Sequence, residues 1–351
     1  MDRQFPPEII QLIVQASLEP FDPFAFIDYA RGDRYETLTD FTLLNSTWRG
    51  VSELFLYKRV VIQSKASASS FLEIAARRGG VIEGVRELEV ACKLDLPTVS
   101  GVLRACPHVV ALQLDEVAVQ AEDLARLHQL RRLEVRRVTV EGSAESATLH
   151  LPQLLHLSMR ELSIKPSASD FLTPAFLPRL RYLKPDGSRN DAGVYSLLPQ
   201  LAALDLHTNS YFLSAPHSLL LLELPLPAYL RRPILSKLTT LPPFLYINYE
   251  ERHILRRMHM RPEVIDSLQW LLTTEKVGLR VLLLRECKPD ADIDTRIVGL
   301  EKRGIRVVRE ERELDFSVAI ERMEEIVAGE KRETERAEQV ERAEMIRKRE
   351  A

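Results

Sequence analysis

A short apolar phrase, L-x-x-L-x-L or a close variant of it, recurs through the middle of this chain of 351 residues. The central apolar residues of the phrases are Leu88, Leu112, Leu133, Leu157, Leu183 and Leu204. Successive members of this series lie 24, 21, 24, 26 and 21 residues apart. Because apolar residues alternate with others, each phrase is predicted to be a short β-strand with one buried face. One strand has nothing to bury that face against, so the repeat predicts a stack of similar units.

The repeat resembles that of leucine-rich-repeat proteins, whose units are about 20 to 29 residues long. The resemblance covers about residues 82–225 and implies an α/β solenoid, which we assign to residues 63–312. Asparagine usually occupies the turn after the last leucine of such a unit. Here Asn209 keeps it, whereas the other turns carry Val117, Val138 and Leu162. These departures predict irregular turns in a degenerate array.

Apolar residues also recur at helical spacing in the first sixty residues. Pro7 and Glu8 suit the first turn of a helix, where no N–H is needed and the helix dipole favours a carboxylate. The stripe that follows consists of Ile9, Ile10, Ile13 and Val14. A second helix is predicted from Phe41, Leu44, Trp48, Val51 and either Leu54 or Phe55. So short a helical segment has a marginal core by itself.

Three blocks of this segment, residues 5–10, 44–49 and 56–62, together resemble an F-box. The family usually has Leu where Phe5 stands, and Val and Cys where Leu44 and Asn45 stand. The segment is also longer than the compact form of the family, with residues 21–35 as the apparent insertion.

The F-box resemblance implies that residues 1–62 dock the Skp-type adaptor of a ubiquitin ligase, and through it a cullin scaffold. The residues to which it assigns adaptor contact are Phe5, Pro6, Glu8, Ile9, Ile13, Val14, Leu44 and Trp48. An alternative is that these helices form an ordinary cap on a larger domain, with Trp48 as a core residue. Stacked repeats need capping ends, so the alternative has a physical basis.

Residues between the leucines of the repeats are expected to share one exposed face. Those predicted to contact a protein client are Arg132, Arg136, His156, Arg160, Tyr182 and Lys184. The cations among them would form a basic stripe, and arginine pairs with phosphate in bidentate geometry. The stripe is therefore expected to bind an acidic or phosphorylated segment. The competing interpretation is a solvated face with scattered charges.

Beyond the repeats the sequence predicts strands at 244–247, 279–284 and 305–308, with helices at 262–273 and 293–302. Two interpretations stay open: these elements close the solenoid, or residues 226–320 form a separate small α/β domain. Residues 313–351 are predicted to be a capping helix followed by a charged helical tail. The capping helix is indicated by Phe316, Ile320, Met323 and Val327.

Composition and motifs exclude several classes of protein. No stretch reaches the length of a membrane span, and the start of the chain lacks the pattern of a signal peptide. Three cysteines without C-x-x-C spacing disfavour a disulfide framework or a zinc site. A net charge of -3 gives no global attraction to nucleic acid. We therefore expect a soluble protein of the cytoplasm or nucleus, without contact to membrane or nucleic acid.

No nucleophile elbow, phosphate loop or dinucleotide-binding pattern occurs, and His253 and His259 lack companion carboxylates at ligand spacing. No cofactor, metal or catalytic residue is therefore predicted. The sequence indicates a mixed α/β protein that is the substrate-recognition subunit of an SCF-type ubiquitin ligase and is not itself an enzyme. The rivals are a leucine-rich-repeat scaffold outside any ligase and, with less support, an enzyme with an unrecognised site.

Overall fold

The computed structural model describes residues 6–17, 31–78, 82–142, 150–186, 194, 196–205, 219–223, 241–247, 260–275, 278–285, 291–310, 319–320, 322–329, 331–332 and 335–336. The chain divides into two compact units, Met1–Leu219 and Leu220–Ala351. Both contain parallel strands and helices, so the fold is mixed α/β as predicted. The predicted boundaries after residues 62 and 312 stay predictions.

The first unit begins with the helices α1 (Pro7–Ser17), α2 (Arg31–Leu44) and α3 (Ser46–Leu56). They pack on one another around a small core of Ile10, Val14 and Leu38. Partly buried side chains complete this core, namely Phe41, Trp48, Val51, Phe55 and Leu56. The apolar stripes of the sequence are therefore buried mainly among the helices themselves.

The sequence predicts a single helix through Phe41, Trp48 and Phe55. The structure has two helices there, α2 and α3, because Asn45 interrupts the helix. Its backbone is extended, with φ -167° and ψ 179°. Its Oδ1 accepts hydrogen bonds from the backbone N–H groups of Thr47 and Trp48, at 2.9 and 3.1 Å. A side chain that satisfies the first free N–H groups of a helix starts that helix.

Parallel strands follow directly after α3, and their order in the sheet is β1, β2, β3, β5, β7, β9 and β10. Their bounds are β1 Arg59–Ile62, β2 Glu87–Val90, β3 Ala111–Asp115, β5 Arg132–Arg136, β7 His156–Arg160, β9 Tyr182–Asp186 and β10 Ala203–Asp205. Except for β1, each strand lies within a predicted L-x-x-L-x-L phrase or extends one, which confirms the strand prediction.

The segments between these strands are short helices, 3-10 turns and a second small sheet. The helices are α4 Lys65–Arg77, α5 Leu96–Ala105 and α6 Ala121–Ala125, and the 3-10 turns are Pro166–Leu172 and Leu198–Gln200. The small parallel sheet consists of β4 Ala118–Gln120, β6 Thr139–Glu141 and β8 Ser163–Ile164. Parallel strands require such crossover segments.

The register of the main sheet aligns the repeated leucines. Leu88 pairs with Leu112, and the same row continues through Leu133, Leu157, Leu183 and Leu204. Each of these side chains is at most 3% exposed. One row of leucines thus forms a continuous buried row across the strands of the sheet, as period-two alternation requires.

The turns after β3, β5 and β7 differ from the prediction of irregular turns. Glu116, Arg137 and Glu161 occupy equivalent positions in them, and all three have left-handed backbones with φ between 52° and 55°. The residues in place of asparagine, Val117, Val138 and Leu162, are buried. The three turns therefore share one conformation, in which an apolar side chain fills the interior.

In the second unit the strand order is β11 (Leu221–Glu223), β12 (Phe244–Ile247), β13 (Val281–Arg285) and β14 (Arg306–Glu310), all parallel. The helices are α7 (Met260–Thr273) and α8 (Ala291–Lys302). These positions confirm the elements predicted for this region to within two residues. Arg303 donates hydrogen bonds to the carbonyls of Leu271, Leu272 and Thr274, at 2.8, 2.6 and 2.9 Å, and so caps the end of α7.

Residues 322–329 are helical, within the predicted capping helix. Ile320 and Met323 are buried, whereas Val327 is exposed. Phe316 lies outside the described residues. Among the helices of the described residues, none is long and apolar enough to cross a bilayer.

Candidate functional site

The surface of α1 and α2 carries apolar side chains that their own core does not cover. Ile9 and Leu12 on α1 are 41% and 62% exposed. Leu43 and Leu44 at the end of α2 are 71% and 60% exposed. Each helix thus leaves two large apolar side chains in water, and a contiguous patch of such side chains would be typical of a surface that meets a partner.

The predicted adaptor residues divide between this surface and the core behind it. Pro6, Glu8, Ile9 and Leu44 are exposed. Val14 is fully buried. Ile13 and Trp48 are half-buried, and Phe5 lies outside the described residues.

Trp48 links the helices rather than standing on the surface. Its ring centroid lies 5.2 Å from that of Phe41, with the planes tilted by 35°. Aromatic pairs at such distances add to the stability of a core beyond the area that they bury. Trp48 therefore supports α2 and α3 from behind the exposed residues.

The residues predicted to contact an adaptor did not include two exposed leucines, Leu12 and Leu43. Leu12 lies three positions after Ile9 and so shares its side of α1, which helical spacing could have indicated. Leu43 directly precedes Leu44, and its exposure depends on the break at Asn45. No periodicity signals that break, although asparagine before Ser-Thr is a recognisable helix start.

The six residues predicted to bind a client lie on one face of β5, β7 and β9, at positions that alternate with buried residues. The register places Arg132, His156 and Tyr182 in one row. Arg136 and Arg160 pair in another row, and Lys184 belongs to the row between them. The cations are thus gathered on one face but do not form a single stripe.

Carboxylates stand among these cations. Asp115 lies 3.9 Å from a guanidinium nitrogen of Arg136 and 3.1 Å from one of Arg137. Glu161 lies 4.0 Å from Arg160. Glu134, on β5, is in the same row as Lys184. Because acidic residues balance most of the cations, this face carries mixed charge.

The same face of the sheet also carries both positive and negative side chains on β1 and β2. Arg59 on β1 lies 3.6 Å from Glu87 and 3.4 Å from Glu89, both on β2. All three side chains are largely buried. Low exposure strengthens such ion pairs but raises the cost of desolvating them, so their net contribution to stability is small.

His156 and Tyr182 stack on this face, with ring centroids 4.3 Å apart. Burial, and secondarily the nearby charge of Arg132, lower the pKa of His156 to about 3. The imidazole is therefore neutral at physiological pH and adds no cation to the face. It contributes an aromatic surface beside an arginine.

Within the described part of the chain, no group of three or more His, Cys, Asp or Glu side chains could hold a metal ion. His253 and His259 lie outside that part.

Burial raises the pKa of the Cys106 thiol to about 12 and also raises that of Cys92. Both thiols are therefore disfavoured as thiolates at neutral pH.

No family model matches the sequence, and no curated protein matches it either.

Proposed function

We propose that this chain is the substrate-recognition subunit of an SCF-type ubiquitin ligase. In this proposal the N-terminal helices bind the Skp-type adaptor, and the parallel-strand array, a leucine-rich-repeat solenoid, binds a protein client. The ligase performs the transfer of ubiquitin, and this chain contributes proximity between client and conjugating machinery. The observation that carries the proposal is the exposed apolar surface of α1 and α2.

The adaptor-binding role is supported by the way in which these helices divide their apolar residues. Ile10 and Val14 pack inside the helical core, so the module has its own interior. Ile9, Leu12 and Leu44 are left facing outward. Burying one such side chain fully stabilises a complex by about 1.5 to 3 kcal/mol, so several together can drive association.

The solenoid assignment is supported by the regularity of the repeats. The row of leucines from Leu88 to Leu204 is in register across the strands of the first unit. The turns after β3, β5 and β7 share one left-handed residue each. Units that differ in length by a few residues yet keep the same strand and turn are typical of a stacked repeat.

Client binding is assigned to the open face of the strands, where Arg132, His156 and Tyr182 form a row. This row combines a guanidinium with two stacked rings. Arginine and tyrosine are enriched at the centres of protein interfaces because they combine apolar area with directional hydrogen bonds.

The experiment is co-elution of the purified chain with a purified Skp-type adaptor in size-exclusion chromatography. A Leu12→Asp, Leu44→Asp variant should lose co-elution while keeping its circular dichroism spectrum. The matched control is Val298→Asp, since Val298 is 48% exposed on α8 and belongs to the second unit. Retained binding in the double variant, or no binding by the wild type, contradicts the proposal.

A scaffold outside any ligase is the second candidate. It is favoured by β1, which follows α3 immediately and pairs with β2 over four residues. The helices are thus continuous with the array, as a cap would be. In that case the adaptor would not co-elute with the wild-type chain at any concentration tested.

A further inference from the structure

A group of arginines lies at the amino-terminal ends of the strands in the first unit, apart from the face described above. Arg126, Arg131, Arg179 and Arg181 are exposed there, and Arg86 is half-buried. The loops that contain them lead into β2, β5 and β9. In the described loops that lead into β2, β3, β5, β7, β9 and β10, the sole carboxylate is that of Glu83.

Three of these arginines form a regular row. Arg86, Arg131 and Arg181 each directly precede a strand. Their backbone N–H groups donate to the carbonyls of Lys58, Val110 and Leu155, at 2.8, 2.8 and 3.0 Å. The strands that follow them, β2, β5 and β9, are alternate members of the sheet. At about 4.8 Å per strand, neighbours in the row are about 10 Å apart.

Most of these guanidinium groups contact neutral acceptors. Arg86 donates to the carbonyls of Glu83 and Val85, at 2.6 and 3.1 Å. Arg179 donates to the side-chain oxygen of Gln153 at 3.1 Å, and Arg181 to the carbonyl of Gln200 at the same distance. Such contacts hold the side chains without cancelling their charge.

Arg126 is the exception, since it lies 3.8 Å from the buried carboxylate of Asp123. That carboxylate also accepts a hydrogen bond from Arg104 at 3.0 Å. The opposite ends of the strands differ, because Arg137 contacts both Asp115 and Glu116 there, at 3.1 and 2.5 Å. Excess positive charge in the described array is therefore concentrated at the amino-terminal ends.

We infer that this row, Arg86, Arg131 and Arg181, binds an extended acidic segment of a partner protein. An extended chain in the polyproline II conformation has three residues per turn and rises about 3.1 Å per residue, so carboxylates at every third residue share one face about 9 Å apart, close to the spacing of the row. Arginine binds carboxylates through paired N–H donors. The inference rests on the proposed function in one respect only, namely that the acidic segment belongs to the client.

A single-stranded nucleic acid fits this row less well. Proteins that bind single strands combine a basic groove with aromatic side chains on which bases stack. In the described loops that lead into β2, β3, β5, β7, β9 and β10, the aromatic residues other than histidine reduce to Phe176, which is 4% exposed, and Tyr57 before β1 is half-buried. Val110 and Leu155, which alternate with the arginines, offer no contact to phosphates. The row is therefore assigned to a peptide.

The test uses the full-length chain, without adaptor, and fluorescence anisotropy of a labelled peptide of about twelve residues with aspartate at every third position. Arg131→Glu with Arg181→Glu should weaken binding at least about tenfold, because each reversal replaces attraction by repulsion. The control is Lys93→Glu with Lys165→Glu, two exposed residues that follow strands β2 and β8 and so lie at the opposite ends of the strands, with the same change in net charge. The control should stay within about twofold of the wild type at physiological salt, where distant charges are screened.

Three outcomes would overturn the inference: no binding by the wild type, an equal loss in the control variant, or tighter binding of a single-stranded oligonucleotide through the same two arginines. A variant with Arg131→Ala and Arg181→Ala, whose thermal unfolding is compared with the wild type, separates loss of binding from loss of fold. Since the adaptor is left out, failure here is distinct from failure to bind the adaptor.

Discussion

Asn45 accepts a hydrogen bond at its side-chain oxygen from the backbone N–H of Trp48, 3.1 Å away. This contact begins α3 at Ser46, with Asn45 as the single residue between it and α2, and Leu44 is exposed at the junction. A helix cap thus sets the geometry of the surface proposed to meet the adaptor.

Removing this cap should destabilise the helical module. We expect Asn45→Ala to lower the free energy of unfolding by about 1 kcal/mol, because two backbone N–H groups lose their acceptor. Asn45→Ser should lie within about 0.5 kcal/mol of the wild type, since serine also caps helices. Urea denaturation measures both, and equal stability of the two variants would contradict the capping role.

The leucine row predicts a larger loss in the array. Leu133 is fully buried on β5. Leu133→Ala should lower the free energy of unfolding by about 3 to 5 kcal/mol, because it leaves a cavity in the core between the side chains of Leu112 and Leu157. Leu12→Ala removes the same atoms from an exposed position and should cost less than about 0.5 kcal/mol. A small loss at Leu133 would mean that the row is not a packed core.

The repeated turn predicts a preference for particular residues. Glu161 has φ 54°. Glu161→Val should lower stability by about 1 to 2 kcal/mol, because a β-branched side chain clashes in the left-handed region. Glu161→Asn should be close to neutral, since asparagine tolerates that region. Thermal unfolding of the pair checks this, and equal melting temperatures would argue against the shared turn conformation.

The half-buried imidazole of His156 on β7 predicts a dependence on pH. The pKa of His156 is about 3 in the folded chain, against 6.5 for an ordinary histidine. Between these values the unfolded chain binds the proton and the folded chain does not, so stability falls as pH decreases from 6.5. His156→Gln should therefore lose less stability than the wild type between pH 7 and pH 4. Parallel curves for the two proteins would show that His156 titrates normally.

Much of the fold follows from local pattern. Strands such as β5 were predicted because Leu133 and Val135 alternate with charged residues, and α7 because its apolar residues recur every three or four positions. The break at Asn45 and the turn at Glu161 were missed, because backbone conformation there depends on one side chain or on neighbouring units.

The site was predicted less completely, because it depends on which strands are neighbours. Aligning the repeats was enough to place Arg132 and Arg160 on one face. The ion pairs that carboxylates such as Asp115 form with the arginines become apparent only from the structure. The row that contains Arg131 and Arg181 was missed, although the same alignment could have indicated it, since both residues directly follow the first leucine of their phrases.

Isothermal titration of the purified Skp-type adaptor into the full chain, at two or more temperatures, most directly tests the proposed role in a ligase. We predict a one-to-one complex with a negative heat-capacity change, because the exposed residues of α1 and α2 would be removed from water. If the titration gives no heat of binding and the two proteins do not co-elute at micromolar concentrations, the proposed role in a ligase is contradicted.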